Sequence, residues 1–223
     1  QEEMERAQRY QDSIQAIAQQ EAAMREAEAA AQSAQALTLD STSLFFGANQ
    51  GTEQFTTLEN NLVKVTFSNK GGRVVSATLK DYNNQQGEPL TLFNAEESAM
   101  NFAFEGKNEN ILTEDLYFQP TQVTDSTVTM RLQTTGAGYI DFAYRLLPDA
   151  YMVNFDIRAV GMQNFFPAAL KSVNIDWFQR ARQQEKGYDF EQRYTSLTYK
   201  SVDEGSDYLS EMSDEKETFE EPM

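Results

Sequence analysis

The feature that most constrains this chain is the long alternation of apolar and polar residues on either side of Pro148-Asp149-Ala150. Ile140, Phe142, Tyr144 and Leu146 share one face of a run over 139–147. Tyr151, Val153, Phe155, Ile157 and Ala159 share one face of the run that follows. Strand side chains alternate between two faces, whereas a helix would scatter the same residues around its circumference. The pattern therefore predicts two antiparallel strands with one face buried and the other wet.

The same period recurs from Gln54 onward. Val63, Val65 and Phe67 alternate with Lys64 and Thr66. After Ser68-Asn69-Lys70-Gly71-Gly72, the residues Val75, Ala77 and Leu79 alternate with Ser76, Thr78 and Lys80. Two such runs around paired glycines predict a hairpin with Gly71 and Gly72 as its structural turn. Further short strands are expected at Pro89–Asn94, Met100–Phe104, Thr127–Gln133, around Val173, Ile175 and Trp177, and at Tyr194–Lys200. The charged stretch Gln179–Lys186 reads as a loop, and the acidic chain beyond Ser201 as surface-bound or mobile. Many strands with frequent turns and no alternating helices predict an all-β fold, an antiparallel β-sandwich. The core is expected to take most of Tyr117, Phe118, Tyr139, Tyr144, Tyr151 and Trp177. The other use of such aromatics is a binding groove.

Residues 1–36 are of another kind. They are rich in Ala, Gln and Glu without Gly or Pro, and their sparse apolar positions predict a weakly docked N-terminal helix. A polar linker over 37–53 follows, with the apolar patch Leu44-Phe45-Phe46 either docked on the domain or left as a sticky loop. The sandwich domain is expected over 54–219. The start at Gln1 and the finish at Pro222-Met223 read as the cut ends of a fragment, with the sandwich incomplete at its C-terminus.

Composition excludes much chemistry. The sequence has no Cys and no His. Disulfides, thiolate sites, histidine-based triads and ordinary zinc sites are thereby removed. Its 35 acidic against 18 basic residues give a net charge of -17, and the basic residues are scattered singly, so no nucleic-acid partner and no anionic lipid surface is expected. No run of about 18 apolar residues is present to cross a membrane as a helix, and a soluble fragment is expected. The remaining catalytic option is a carboxylate pair. Glu96-Glu97 read as a solvated loop. Asp203-Glu204 and the acidic run from Asp214 to Glu221 lack the spacing of a calcium loop. We expect no catalytic, cofactor-binding or metal site, no cofactor, and no enzyme. The loop Phe165-Phe166-Pro167 places two aromatics before a proline and is a candidate partner-contact surface.

Several motifs also carry a family resemblance. Glu59-Asn60-Asn61-Leu62, then Phe67-Ser68-Asn69-Lys70-Gly71-Gly72 and Leu79-Lys80-Asp81-Tyr82, resemble the start of the first large periplasmic domain of YidC membrane-protein insertases. Asp141-Phe142-Ala143-Tyr144-Arg145-Leu146, Tyr151-Met152-Val153-Asn154-Phe155 and the region from Tyr194 to Tyr208 are similar to later parts of that domain. The Gln-rich start looks like the juxtamembrane connector of Bacteroidetes-type members. The resemblance implies a β-supersandwich similar to galactose-mutarotase-like domains, at the periplasmic face of the bacterial inner membrane. It implies a non-catalytic accessory role in a multi-pass insertase that works alone or with the Sec translocon. Membrane-protein clients and SecF-type Sec accessory proteins would be the partners. The alternative reading is a carbohydrate-binding sandwich module without catalysis.

Overall fold

In the computed structural model, residues 39, 41–170, 172–184, 187–200 and 205–210 are described. The expected helix over 1–36 and the acidic run from Asp214 lie outside them.

The hairpin around Gly71-Gly72 forms because alternating residues meet a turn that only glycine makes easily. β2 (Val63–Ser68) and β3 (Val74–Asn83) pair antiparallel, with Val63 opposite Leu79 and Val65 opposite Ala77. Between them Gly71 and Gly72 adopt φ of 76° and 63°, in the left-handed region that disfavours side chains. A Cβ on Gly72 would also lie 3.0 Å from the Phe118 ring. β1 (Phe55–Glu59) and β4 (Pro89–Phe93) flank the hairpin, giving a four-stranded sheet in the order β1-β2-β3-β4.

β5 (Ser98–Glu105), β6 (Asn110–Leu112) and β11 (Asn174–Gln179) make a second sheet, ordered β11-β5-β6. β7 (Gln119–Thr121), β8 (Thr127–Gln133), β9 (Tyr139–Leu146) and β10 (Val153–Val160) make a third, ordered β10-β9-β8-β7. A short helix, α1 (Tyr188–Gln192), precedes the small hairpin of β12 (Ser196–Lys200) and β13 (Ser206–Ser210). All named pairings are antiparallel, and the fold is a β-sandwich.

The core lies on one face of β9. Ile140, Phe142, Tyr144 and Leu146 are all buried there. Phe102 and Phe104 of β5 reach Phe142 from the second sheet, at ring-centroid distances of 4.9 and 6.3 Å, and Phe67 of β2 reaches Tyr144 from the first at 4.7 Å. The first two sheets thus share the layer opposite β9, and aromatic stacking and area burial together hold the layers. On the opposite face of the same strands, Arg131 of β8 donates two 2.7 Å hydrogen bonds to the buried Asp141 of β9 and lies 3.5 Å over the Tyr139 ring. The patch at Leu44-Phe45-Phe46 docks through Phe45, which is fully buried and edge-on to Phe165 at 5.3 Å, while Phe46 stays exposed.

Two expected core segments are corrected. β10 pairs antiparallel with β9 as expected, with Phe155 opposite Tyr144 and Ile157 opposite Phe142, yet Ile157 is 37 % exposed. Trp177 of β11, read as core, is 72 % exposed. The physical reason is position: each strand is the edge of its sheet, so alternation survives while the cover does not. Of the six aromatics assigned to the core, Phe118 and Tyr144 are buried, while Tyr151, just before β10, is 44 % exposed.

Candidate functional site

Acid–base chemistry is the one catalytic option in the composition, and the geometry assigns one carboxylate of the Glu96-Glu97 pair, Glu97, to structural work. Glu97 closes a short turn over Ala95–Glu97. Its carboxylate accepts the Asn94 N–H at 2.9 Å and the Arg182 Nε–H at 2.8 Å on both oxygens. The hydrogen bond from Arg182 holds this carboxyl below the usual carboxylate range, which suits a permanent ion pair. Glu96 beside it is exposed. Glu114 is the carboxyl pushed upward, chiefly by burial and then by Asp115 and Asp176, against the pull of Lys70 and Arg73. Among the described residues no group of three or more carboxylates is placed to hold a metal ion. Asp203-Glu204 and the acidic run from Asp214 lie outside those residues.

The loop singled out for partner contact divides in two. Phe165 is 3 % exposed, which takes its ring out of any presented surface. Its N–H donates to Met162 O, its carbonyl accepts from Lys107 N, and its ring fills the space over Gly106, where a Cβ would lie 2.5 Å away. Two aromatics before a proline need not both face water when a glycine opens room beneath one of them. Phe166 and Pro167 are half-buried. They wall a shallow cup of about 380 Å³ with Lys107, Ala159 and Met162.

Gly71 and Gly72 anchor as well as turn. The Gly71 N–H donates to Leu116 O at 2.9 Å, and Gly72 O accepts the buried Tyr144 hydroxyl at 2.7 Å. Asn60 ties the opposite end. Its Nδ2 donates to Leu147 O and Ala150 O, and its Oδ1 accepts from the N–H groups of Leu62 and Val63.

The largest feature that sequence reasoning missed is an uncovered part of the core face. Ile175 sits opposite the buried Phe102, and Trp177 opposite Met100, so both point the same way as the core residues of β5. Ile175 is nevertheless 55 % exposed. On the facing sheet Ile157 and Ala159 continue the core face of β9 into solvent in the same way. Apolar residues gathered on an inward face hold the positions of core residues that further cover would bury. The signal was present in the sequence as alternation; edge position was not.

A family model described as the YidC periplasmic domain matches residues 56–221. A membrane protein insertase YidC of Phocaeicola vulgatus is 72% identical over 97% of this chain and 35% of its own length. Insertases of the same name from Bacteroides fragilis and Porphyromonas gingivalis are 48% and 38% identical, over 96% and 94% of this chain. The chain spans about a third of the length of these curated relatives, 35% in each case. No solved structure matches it. The antiparallel sandwich, the Asn60 tie and the Gly71-Gly72 anchor lie inside the matched span, at the periplasmic face of the inner membrane. The chain belongs to the YidC membrane protein insertase family, as its periplasmic domain.

Proposed function

We propose that this domain is a non-catalytic accessory platform of a multi-pass inner-membrane insertase, serving membrane-protein clients alone or together with the Sec translocon. Insertion itself is carried by parts of the protein outside this chain. The observation that supports the reading is the uncovered core face of β10 and β11, where Ile157, Ile175 and Trp177 stand exposed within the span matched to the family. A face of this kind suits protein contact, and a SecF-type Sec accessory protein is the external partner we assign to the domain. The paired carboxylates being tied to arginine or set apart also favours a scaffold over a catalyst.

The test is removal of residues 54–219 from the full-length protein in cells, with client insertion followed by protease protection. The reading expects substantial insertion to persist and contact with the Sec accessory protein, read by crosslinking, to fall. Complete loss of insertion while the membrane part is still folded and expressed overturns the accessory role.

A further inference from the structure

A second cavity lies away from that face, among the chain before β1, the start of β7 and the end of β8. Its volume is about 350 Å³. None of its 14 lining residues carries a charge, in a sequence where 24% of residues do and the net charge is -17. The lining is instead rich in amides and hydroxyls, with Gln50, Gln54, Tyr117, Gln119, Gln133 and Thr135 among its walls.

The cleft is built in advance. The Tyr117 N–H donates to Ala48 O at 2.8 Å, the Thr135 N–H to Leu44 O at 2.7 Å, and the Phe118 N–H to Asn69 O at 2.8 Å. The buried Asn69 side chain holds the near wall, accepting from Gln54 N at 2.6 Å and donating to Thr52 O at 3.2 Å. Gly51 has no side chain, and a Cβ there would lie 2.5 Å from Tyr117 Cγ, so the ring seats against bare backbone. The Gln133 amide N–H groups are spent on the carbonyls of Thr134, Gly136 and Gly138, leaving Oε1 as an acceptor. The exposed amides of Gln50 and Gln119 and the Tyr117 hydroxyl make no hydrogen bond among the described residues.

A rigid, uncharged wall of amide donors and acceptors around one aromatic ring fits a compact ligand covered in hydroxyls. It does not fit an added peptide strand. β7, the sheet edge at the cleft, has three residues, and its central Pro120 has no N–H to donate. We propose that this cleft is a binding site for a small neutral saccharide, independent of the platform role above.

The test is two-dimensional ¹H–¹⁵N NMR of the full 223-residue chain, titrated with D-galactose and with N-acetyl-D-glucosamine. At least one sugar should shift the Gly47 and Gly51 backbone amides and the Gln50, Gln119 and Gln133 side-chain amides together. Saturation is expected with a Kd of about 1 mM, typical of a ligand this small. The double variant Gln50→Ala, Gln119→Ala changes two exposed amides that make no internal bond. It should weaken the response about tenfold, the loss of about one good hydrogen-bonding contact, while the remaining spectrum stays that of the folded chain. No shift with either sugar at roughly 50 mM, well above that Kd, overturns the proposal. So does an undiminished response in the double variant, or saturation of the same resonances by a Gln/Ser-rich peptide when the sugars leave them unmoved.

Discussion

Removing a single hydroxyl tests how the hairpin turn is locked to the core. In Tyr144→Phe the ring keeps its neighbours, Phe67 at 4.7 Å and Phe155 at 4.7 Å, while the 2.7 Å hydrogen bond to Gly72 O is lost. Gly72 is buried and its carbonyl has no other acceptor role among the described residues, so the change strands a desolvated polar group. That costs about 1–3 kcal/mol, and for a chain of this size about 2 kcal/mol lowers the Tm by about 4–8 °C. The pH dependence gives a second, independent reading. Burial raises the Tyr144 hydroxyl above its ordinary value of 10.0. The folded state therefore holds that proton more tightly than the unfolded state, so the stabilisation is full below pH 10 and is lost as pH rises beyond it. The Phe variant has no such proton. Between pH 10 and pH 11 the wild-type advantage should shrink by up to about 1.4 kcal/mol, one pH unit of a single proton's linkage. Urea unfolding of both proteins at neutral and alkaline pH measures it. Equal stability at neutral pH, or a gap that stays constant through pH 11, would refute the reasoning.

The two turn glycines should separate. Gly71→Ala meets ordinary contacts at 3.6 Å and incurs only the cost of a positive φ, about 1–2 kcal/mol. Gly72→Ala adds a close approach to the Phe118 ring and should lower the urea midpoint further. Asn60→Ala deletes four hydrogen bonds, two joining the β1–β2 turn to the β9–β10 turn and two within the β1–β2 turn itself, and should cost about 2 kcal/mol. Asn61→Ala, which loses only its link to Asp149, should cost less in the same unfolding assay. Glu114→Gln should raise the Tm at pH 7, since burial in the folded state holds this carboxyl above its ordinary value of 4.5. The gain should fade as pH falls through that range and the wild-type carboxyl takes up its proton; a gain independent of pH would sink the assignment. The sequence has one Trp, so its fluorescence reports the β11 edge alone. Emission from the 223-residue chain should be that of a wet indole and readily quenched by iodide, and protected emission would contradict the exposed edge.

The sheets were legible wherever burial falls on one face. Thr127–Gln133 was predicted with the bounds that β8 has, and the 139–147 run ends one residue from β9, because alternation there reflects a fully buried face. β6 and β7 have three residues each, too few for a period to show. β13 lies in an acidic stretch where Asp207 and Tyr208 face solvent, so no apolar signal marks it. Of the candidate contact loop, the sequence located the segment but not the inward turn of Phe165. That turn depends on Gly106, far away in the sequence, leaving room for the ring. The neutral cleft was illegible for the same reason: Gln50, Tyr117, Gln119 and Gln133 come from three segments, and only the fold brings them together.

The uncovered core face is the point where local pattern and tertiary context part. β10 and β11 alternate like interior strands, and their registers against β9 and β5 set Ile157, Ala159 and Ile175 in line with the fully buried Phe142, Ile140 and Phe102, and Trp177 in line with the half-buried Met100. A strand adapted to be a permanent edge carries charge or proline on the side it exposes. Here the charges, Asp156, Arg158 and Asp176, sit on the other face, and the inward positions stay apolar. Alternation of that kind stabilises only a state in which the inward side is covered, so the apolar positions on β10 and β11 make physical sense as half of a contact. The polar cleft beside β7 is the reverse case. Its groups are individually ordinary for a surface, and its meaning comes from the charges missing from an otherwise strongly acidic protein.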